Sequence, residues 1–166
     1  MKKIFAAVIA AAALFPFCAA AQETGMAAAP VEGNATATDW FVTIDYNGYE
    51  FEIPAGCLVE KGPTVVAKYP DGTFGVSMSN VESIGTSQRN CIEVCKRLVK
   101  QLKLKDAKIE NKKVGKVEGA KATGEFDGTL VTILILPYDD QETTAIIMAA
   151  PGRQAWADHL VETMRH

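Results

Sequence analysis

Beyond its first 21 residues the chain has no apolar run approaching the ~20 residues that a membrane-spanning helix needs, so no transmembrane helix is expected. Histidine is scarce. His159 and His166 are the only two, both near the C-terminal end, and neither is close in sequence to Cys57, Cys91 or Cys95. A Cys/His zinc site or an imidazole-activated thiol therefore has no local signature. The chain also lacks G-x-S-x-G, H-E-x-x-H and any phosphate-cradling glycine loop. No catalytic residue, cofactor-binding residue or metal ligand is assigned from these patterns, and no cofactor is expected. With 17 basic against 20 acidic residues the net charge is −3, and no run interleaves lysine with aromatic residues and glycine. Nucleic acid is excluded as an expected partner.

What is present begins with MKKIFAAVIAAAALFPFCAAAQE: two lysines, an apolar run from Ile4, and small residues at Ala19 to Ala21. This is the pattern of a signal peptide over residues 1–21, cut after Ala21, and it predicts an exported, periplasmic or secreted protein. Cys18 raises a rival, acylation as a lipoprotein, but Pro16 and Phe17 stand where that processing wants small residues, so anchoring through Cys18 is disfavoured. Without Lys2 and Lys3 the 17 basic residues become 15 against 20 acidic, a net of −5. Residues 22–38, QETGMAAAPVEGNATAT, are small, polar and aperiodic and read as a flexible leader. The sequon at Asn34 carries little weight, because nothing in the leader distinguishes a eukaryotic signal peptide from a bacterial one. A single domain is expected over residues 39–166.

Within it, Asn47-Gly48 lies between β-rich runs, and Tyr49, Phe51 and Ile53 alternate with Glu50 and Glu52, which predicts a hairpin with one buried face. Further hairpins are expected at Pro70-Asp71-Gly72 and Asp127-Gly128. In TLVTILILP both alternating sets are apolar or uncharged, so this strand and its partner ETTAIIMAAP require cover on both faces. Two helical segments can supply it. At about 100° per residue, Cys91, Ile92, Val94, Cys95, Leu98, Val99 and Leu102 fall on one arc, and Glu93, Lys96, Arg97, Lys100 and Lys103 fall opposite. Thr86 or Ser87 is the expected N-cap. After Pro151-Gly152, Trp156, Ala157, Leu160, Val161 and Met164 form a second inner face, with His159 on the outer one. The expected fold is α/β (α+β): a three-layer α/β/α sandwich, with a central antiparallel sheet and one helix on each face.

The run YEFEIPAG (Tyr49 to Gly56), the YPDGTF turn, the cysteine-bearing helix, GKVEGAKA (Gly115 to Ala122), FDGTL, and the closing strand with Pro151 and the Trp156 helix resemble the PsbP-like and DcrB-like family. The resemblance spans nearly all of residues 40–166 and implies the same sandwich. It implies little about activity, since its members range from an extrinsic photosystem subunit to an envelope lipoprotein and a nuclear import factor, none of them an enzyme. One departure stands out: Cys57 follows the Pro-x-Gly turn where that family usually has tryptophan.

Three sets of residues are candidates for chemistry. Cys91 and Cys95, one helical turn apart on the apolar stripe, suit burial as small hydrophobic side chains. A disulfide from Cys57 to either one is a second reading in an oxidising compartment, and a thiol or metal role with Cys57 as third ligand is another. Second, ten of the 15 basic residues left after cleavage lie between Lys96 and Lys121 against Asp106, Glu110 and Glu118, so this segment carries +7 while the rest carries −12. Lys96, Arg97, Lys100, Lys103, Lys112, Lys113 and Lys116 are the expected docking surface for an anionic partner; a solvated surface is the simpler reading. Third, Glu50 and Glu52 share a wet strand face and are the carboxylates a small-molecule hydrolase would use. Asp139, Asp140 and Glu142 lack the spacing of a calcium loop and read as a solvated turn. The leading expectation is a non-enzymatic envelope or periplasmic accessory protein; its partner and oligomeric state are not specified by the sequence.

Overall fold

A computed structural model describes residues 41–82, 88–138 and 141–166. The expected signal peptide and leader, the expected helix cap at Thr86 or Ser87, and the expected turn at Asp139 and Asp140 lie outside these residues. Nine strands and two helices are described: β1 (Phe41–Tyr46), β2 (Tyr49–Pro54), β3 (Leu58–Glu60), β4 (Thr64–Lys68), β5 (Phe74–Glu82), α1 (Gln88–Leu102), β6 (Lys105–Val114), β7 (Val117–Phe126), β8 (Thr129–Tyr138), β9 (Gln141–Ala149) and α2 (Gln154–Thr163).

Turn chemistry sets the strand pairings. Asn47 and Gly48 have φ of 54° and 74°, and Asp127 and Gly128 have 47° and 78°, the two left-handed residues that a tight type I′ hairpin demands. Tyr46 therefore faces Tyr49 in β1–β2, and Phe126 faces Thr129 in β7–β8. At the third expected turn, Asp71 Oδ1 accepts from the Thr73 amide at 2.8 Å and the Thr73 hydroxyl at 2.6 Å, and Gly72 N donates to Tyr69 O at 2.9 Å.

Seven strands form one antiparallel sheet in the order β3-β4-β5-β9-β8-β7-β6. The chain leaves the middle of the sheet after β5, passes through α1, re-enters at the far edge as β6, and meanders back until β9 pairs with β5. The expected first hairpin forms but does not join this sheet: β1 and β2 make a separate two-stranded sheet.

Two buried clusters occupy opposite faces. Along β8, Val131, Ile133 and Ile135 enter one cluster and Leu134 and Leu136 the other, as the period of two in a strand requires. The first cluster joins Leu134, Leu136, Ala145, Ile147, Phe74, Val76 and Met78 to Ala157, Leu160 and Val161 of α2 and to Ile44, Tyr49, Phe51 and Ile53 of the hairpin. Helix and hairpin cover that face together. In the second, Cys91, Cys95 and Leu98 of α1 are buried with Ala120, Ala122, Val131, Ile133, Ile135 and Ile146. α1 lies over β6, β7 and β8, most extensively over β7. There the sheet presents alanines and the helix two cysteines, small side chains that let helix and sheet approach closely.

His159, expected on the outer face of α2, is covered by the hairpin: its Nε2 lies 2.7 Å from Glu52 Oε2 and its ring stacks on Phe41 at 3.8 Å between centroids. The hairpin thus packs against α2 as well as against the sheet. At its other end Glu50 exchanges backbone bonds with Arg165 at 2.8 and 2.9 Å, and Arg165 Nε reaches Glu50 Oε2 at 2.8 Å.

Candidate anion-docking surface

The basic segment folds into α1, β6 and β7, and strand periodicity divides it. Ile109 of β6 packs under α1 in the second cluster, whereas Val114 enters the first. Lys113 consequently shares the α1 side with Ile109, directly opposite Glu118. Lys108, Glu110 and Lys112 point to the other side of the sheet, where the ladder sets Glu110 opposite Lys121 of β7. Lys121 Nζ lies 2.7 Å from Glu110 Oε1. The Lys121 hydrogen bond first, then the charges of Lys121, Lys112 and Lys108, hold the Glu110 carboxyl below its ordinary value. Four ionised side chains thus lie on one sheet face, with Lys108 and Lys112 roughly 13 Å apart along the strand.

The sheet divides the seven residues expected as a docking surface. Lys96, Arg97 and Lys100 are exposed on the outer face of α1, with Lys96 Nζ 2.8 Å from Glu93 Oε1. Lys103 follows the end of α1 at φ 53°, and Lys116 lies in the turn between β6 and β7. Lys112 alone of the seven reaches the opposite sheet face. Lys108 and Lys121, its neighbours there, were within the charged segment but not singled out; pairing register, which sequence does not display, selects them.

The thiols are held apart. Cys91 and Cys95 are fully buried in the second cluster, while Cys57, half-buried, packs against the first, as do Tyr69 and Trp156. Cys57 forms no disulfide, and the sheet lies between it and the other two, so the cross-link weighed as a second reading is not made. Burial first, and then the charge of Asp71, pushes the Cys57 thiol up to about 11. Its thiolate fraction near pH 8 is lower by about a hundredfold than that of an ordinary thiol. Alkylation of native protein at pH 8, followed by peptide mass spectrometry, should therefore modify Cys57 about a hundred times more slowly than the urea-unfolded chain. Equal rates, or a recovered peptide pair linking Cys57 to Cys91 or Cys95, would contradict this placement.

Tyr69 and Trp156, which pack against the same cluster as Cys57, are linked through Arg153 and Phe74. The Arg153 guanidinium stands 4.1 Å over the Trp156 ring and 3.7 Å from Asp71 Oδ2, and Trp156 meets Tyr69 and Phe74 edge-on at 5.0 and 5.7 Å. Glu50 and Glu52, the carboxylates a hydrolase would need, are each committed to a different basic partner, Arg165 and His159. Among the described residues no three His, Cys, Asp or Glu side chains gather to hold a metal ion, and no helix is long and apolar enough to cross a membrane.

The described residues adopt a PsbP-like fold, mixed α+β, with a large antiparallel sheet and two helices. The chain is similar in structure to cyanobacterial PsbP (CyanoP) from Synechocystis sp. PCC 6803, at a TM-score of 0.53 and 13% identity, covering 84% of this chain and 98% of that one. A crystal structure from Bacteroides thetaiotaomicron VPI-5482 matches at a TM-score of 0.46 and 13% identity over 74% of this chain and 46% of that one. No protein-family model matches the chain, and no curated protein matches its sequence.

Proposed function

We propose that this is an exported, non-enzymatic accessory protein whose three-layer α/β/α sandwich, PsbP-like and DcrB-like, docks an acidic segment of a partner protein on the β6–β7 face. The observation that carries this reading is the grouping of Lys108, Lys112 and Lys121 around one glutamate on a sheet face where Lys108 and Glu110 are exposed. Solvated lysines spread over a protein repel one another and gain nothing from convergence, whereas an anionic partner gains from each. Export with cleavage after Ala21 belongs to the same reading, as does the absence of a catalytic motif.

The test is binding of polyglutamate, followed by fluorescence anisotropy between about 0.05 and 0.5 M salt. Lys108→Glu, Lys112→Glu and Lys121→Glu together should weaken binding by about tenfold or more at the low-salt end and flatten its salt dependence. The control triple Lys96→Glu, Arg97→Glu and Lys100→Glu, on α1, should leave binding within about threefold. Equal losses in both triples would reduce the effect to net charge and remove the site. Binding to anionic phosphatidylglycerol vesicles, but not to polyglutamate, would replace the protein partner by a membrane surface.

A further inference from the structure

β6 is the last strand of the seven-stranded sheet, and its one ladder runs to β7. Among the described residues no backbone bond reaches its outer side. From Lys108 to Val114 the register is unbroken, which leaves a straight row of outward N–H and C=O groups about seven residues long. Such an edge is a template for another strand, and proteins usually blunt it. Here the bulge between Lys105 and Lys108, with Asp106 at φ 49°, disrupts only the entry to the strand. The remaining protection is lysine, and lysine discriminates. A second copy of β6 laid antiparallel on the first, in the register centred on Glu110, would set Lys108 of each chain against Lys112 of the other and the two glutamates against each other, while an acidic strand would be attracted to the lysines.

The two faces of this edge also differ. Lys108, Glu110 and Lys112 alternate with Ile109, Asn111 and Lys113, and Ile109 belongs to the partly buried margin of the α1 cluster. A strand added outside β6 would meet lysines on one face and, on the other, the rim of an apolar layer with Lys113 beyond it.

We propose that β6 accepts an extended acidic segment of a partner as an eighth strand, with carboxylates facing Lys108 and Lys112 on one side and an apolar side chain beside Ile109 on the other. This deepens the docking reading above and rests on it. Backbone bonds to the edge supply affinity, and the alternation of charge and apolar surface supplies register.

The experiment uses an end-blocked peptide of roughly seven residues that alternates glutamate with threonine and valine. Two further versions are N-methylated at alternate residues, so that one set removes the amides facing β6 and the other removes those facing solvent. Binding is read by anisotropy, and amide exchange in β6 by NMR. The unmethylated peptide should bind and slow exchange at alternate residues from Lys108 to Val114. One methylated set should lose about tenfold or more in affinity and the other less than about twofold. Equal effects of the two sets, or binding without slowed exchange in β6, would overturn strand addition while polyglutamate binding still upheld docking. So would failure of the peptide to bind under conditions where polyglutamate does. Loss of polyglutamate binding as well would remove the docking reading itself. Protein dimers that form through β6 with no peptide present would also overturn the proposal.

Discussion

Replacing Gly119 by alanine should destabilise the protein by at least about 3 kcal/mol, lowering its melting temperature by more than about 10 °C or leaving it unfolded. Gly119 lies near the start of β7, opposite Lys112 and beside the pairing of Ala120 with Ile135. A β-carbon there would stand 2.2 Å from the Ile135 carbonyl oxygen, 2.9 Å from Leu136 Cδ2 and 3.2 Å from the Ile135 carbonyl carbon. The leucine methyl can rotate away, but the carbonyl belongs to the backbone of β8, which is paired on its other side with β9. Relief therefore requires β7 and β8 to part locally, with loss of ladder bonds in a buried region. Gly124→Ala is the natural comparison: its new carbon would meet Leu104 Cβ at 2.9 Å and Lys105 O at 3.0 Å. Leu104 precedes β6, and Lys105 is its first residue, ahead of the bulge; this entry to an edge strand can shift without opening the middle of the sheet, so the loss should be smaller. Urea titration of both variants decides it; a Gly119→Ala protein as stable as the parent would mean that β7 and β8 are not this close.

The features legible in the sequence were those whose cause is local. Asn47-Gly48 and Asp127-Gly128 require left-handed backbone, and few structures other than a two-residue hairpin supply two such residues in succession. The stripe through Cys91, Cys95 and Leu98 is periodic, and all three are buried. What the sequence concealed depended on partners distant along the chain. Alternation in YEFEIP announces one buried face but does not say whether it is buried by a sheet neighbour or, as here, laid over α2 and the sheet as a separate ribbon. For the same reason His159 gave no sign that Phe41 and Glu52, over a hundred residues away, would cover it.

The candidate site was hidden more completely. In KIENKKV a single interior apolar residue, Ile109, interrupts charged and polar ones, so the period of two leaves inside and outside nearly undefined until the ladder is known. Ten basic residues in one segment made a charged surface easy to foresee. That α1 would sit on one face of β6 and β7, separating its own lysines from Lys108, Lys112 and Lys121, follows only from the pairing of β6 as the outermost strand. Charge density along a chain and charge density on a surface are different quantities wherever the chain runs through a sheet.

Tyr49 ties the hairpin to the sheet, and two substitutions separate its contributions. The side chain is fully buried, its ring meets that of His166 at 4.6 Å, and its hydroxyl donates to the carbonyl of Pro137 in β8. Tyr49→Ala should cost about 3–5 kcal/mol, because a large aromatic side chain leaves a core that cannot close over the space. Tyr49→Phe keeps the ring and should cost about 1–3 kcal/mol, the penalty of leaving the Pro137 oxygen without its donor. The phenylalanine variant should also change the response to alkali. Burial first, and then the charge of Cys91, raises the Tyr49 phenol from 10.0 to about 12. Between these values the unfolded chain has released the proton that the folded chain retains, so stability falls as pH rises, by about 2 kcal/mol at most. Lysine deprotonation and the raised phenol of Tyr46 act on parent and variant alike. Urea unfolding at about pH 8 and pH 11 should therefore show the parent losing more stability than Tyr49→Phe, with the difference assigned to this one hydroxyl. Parallel losses would mean that the phenol ionises as readily in the folded protein as in the unfolded chain, and that the hairpin does not seal it.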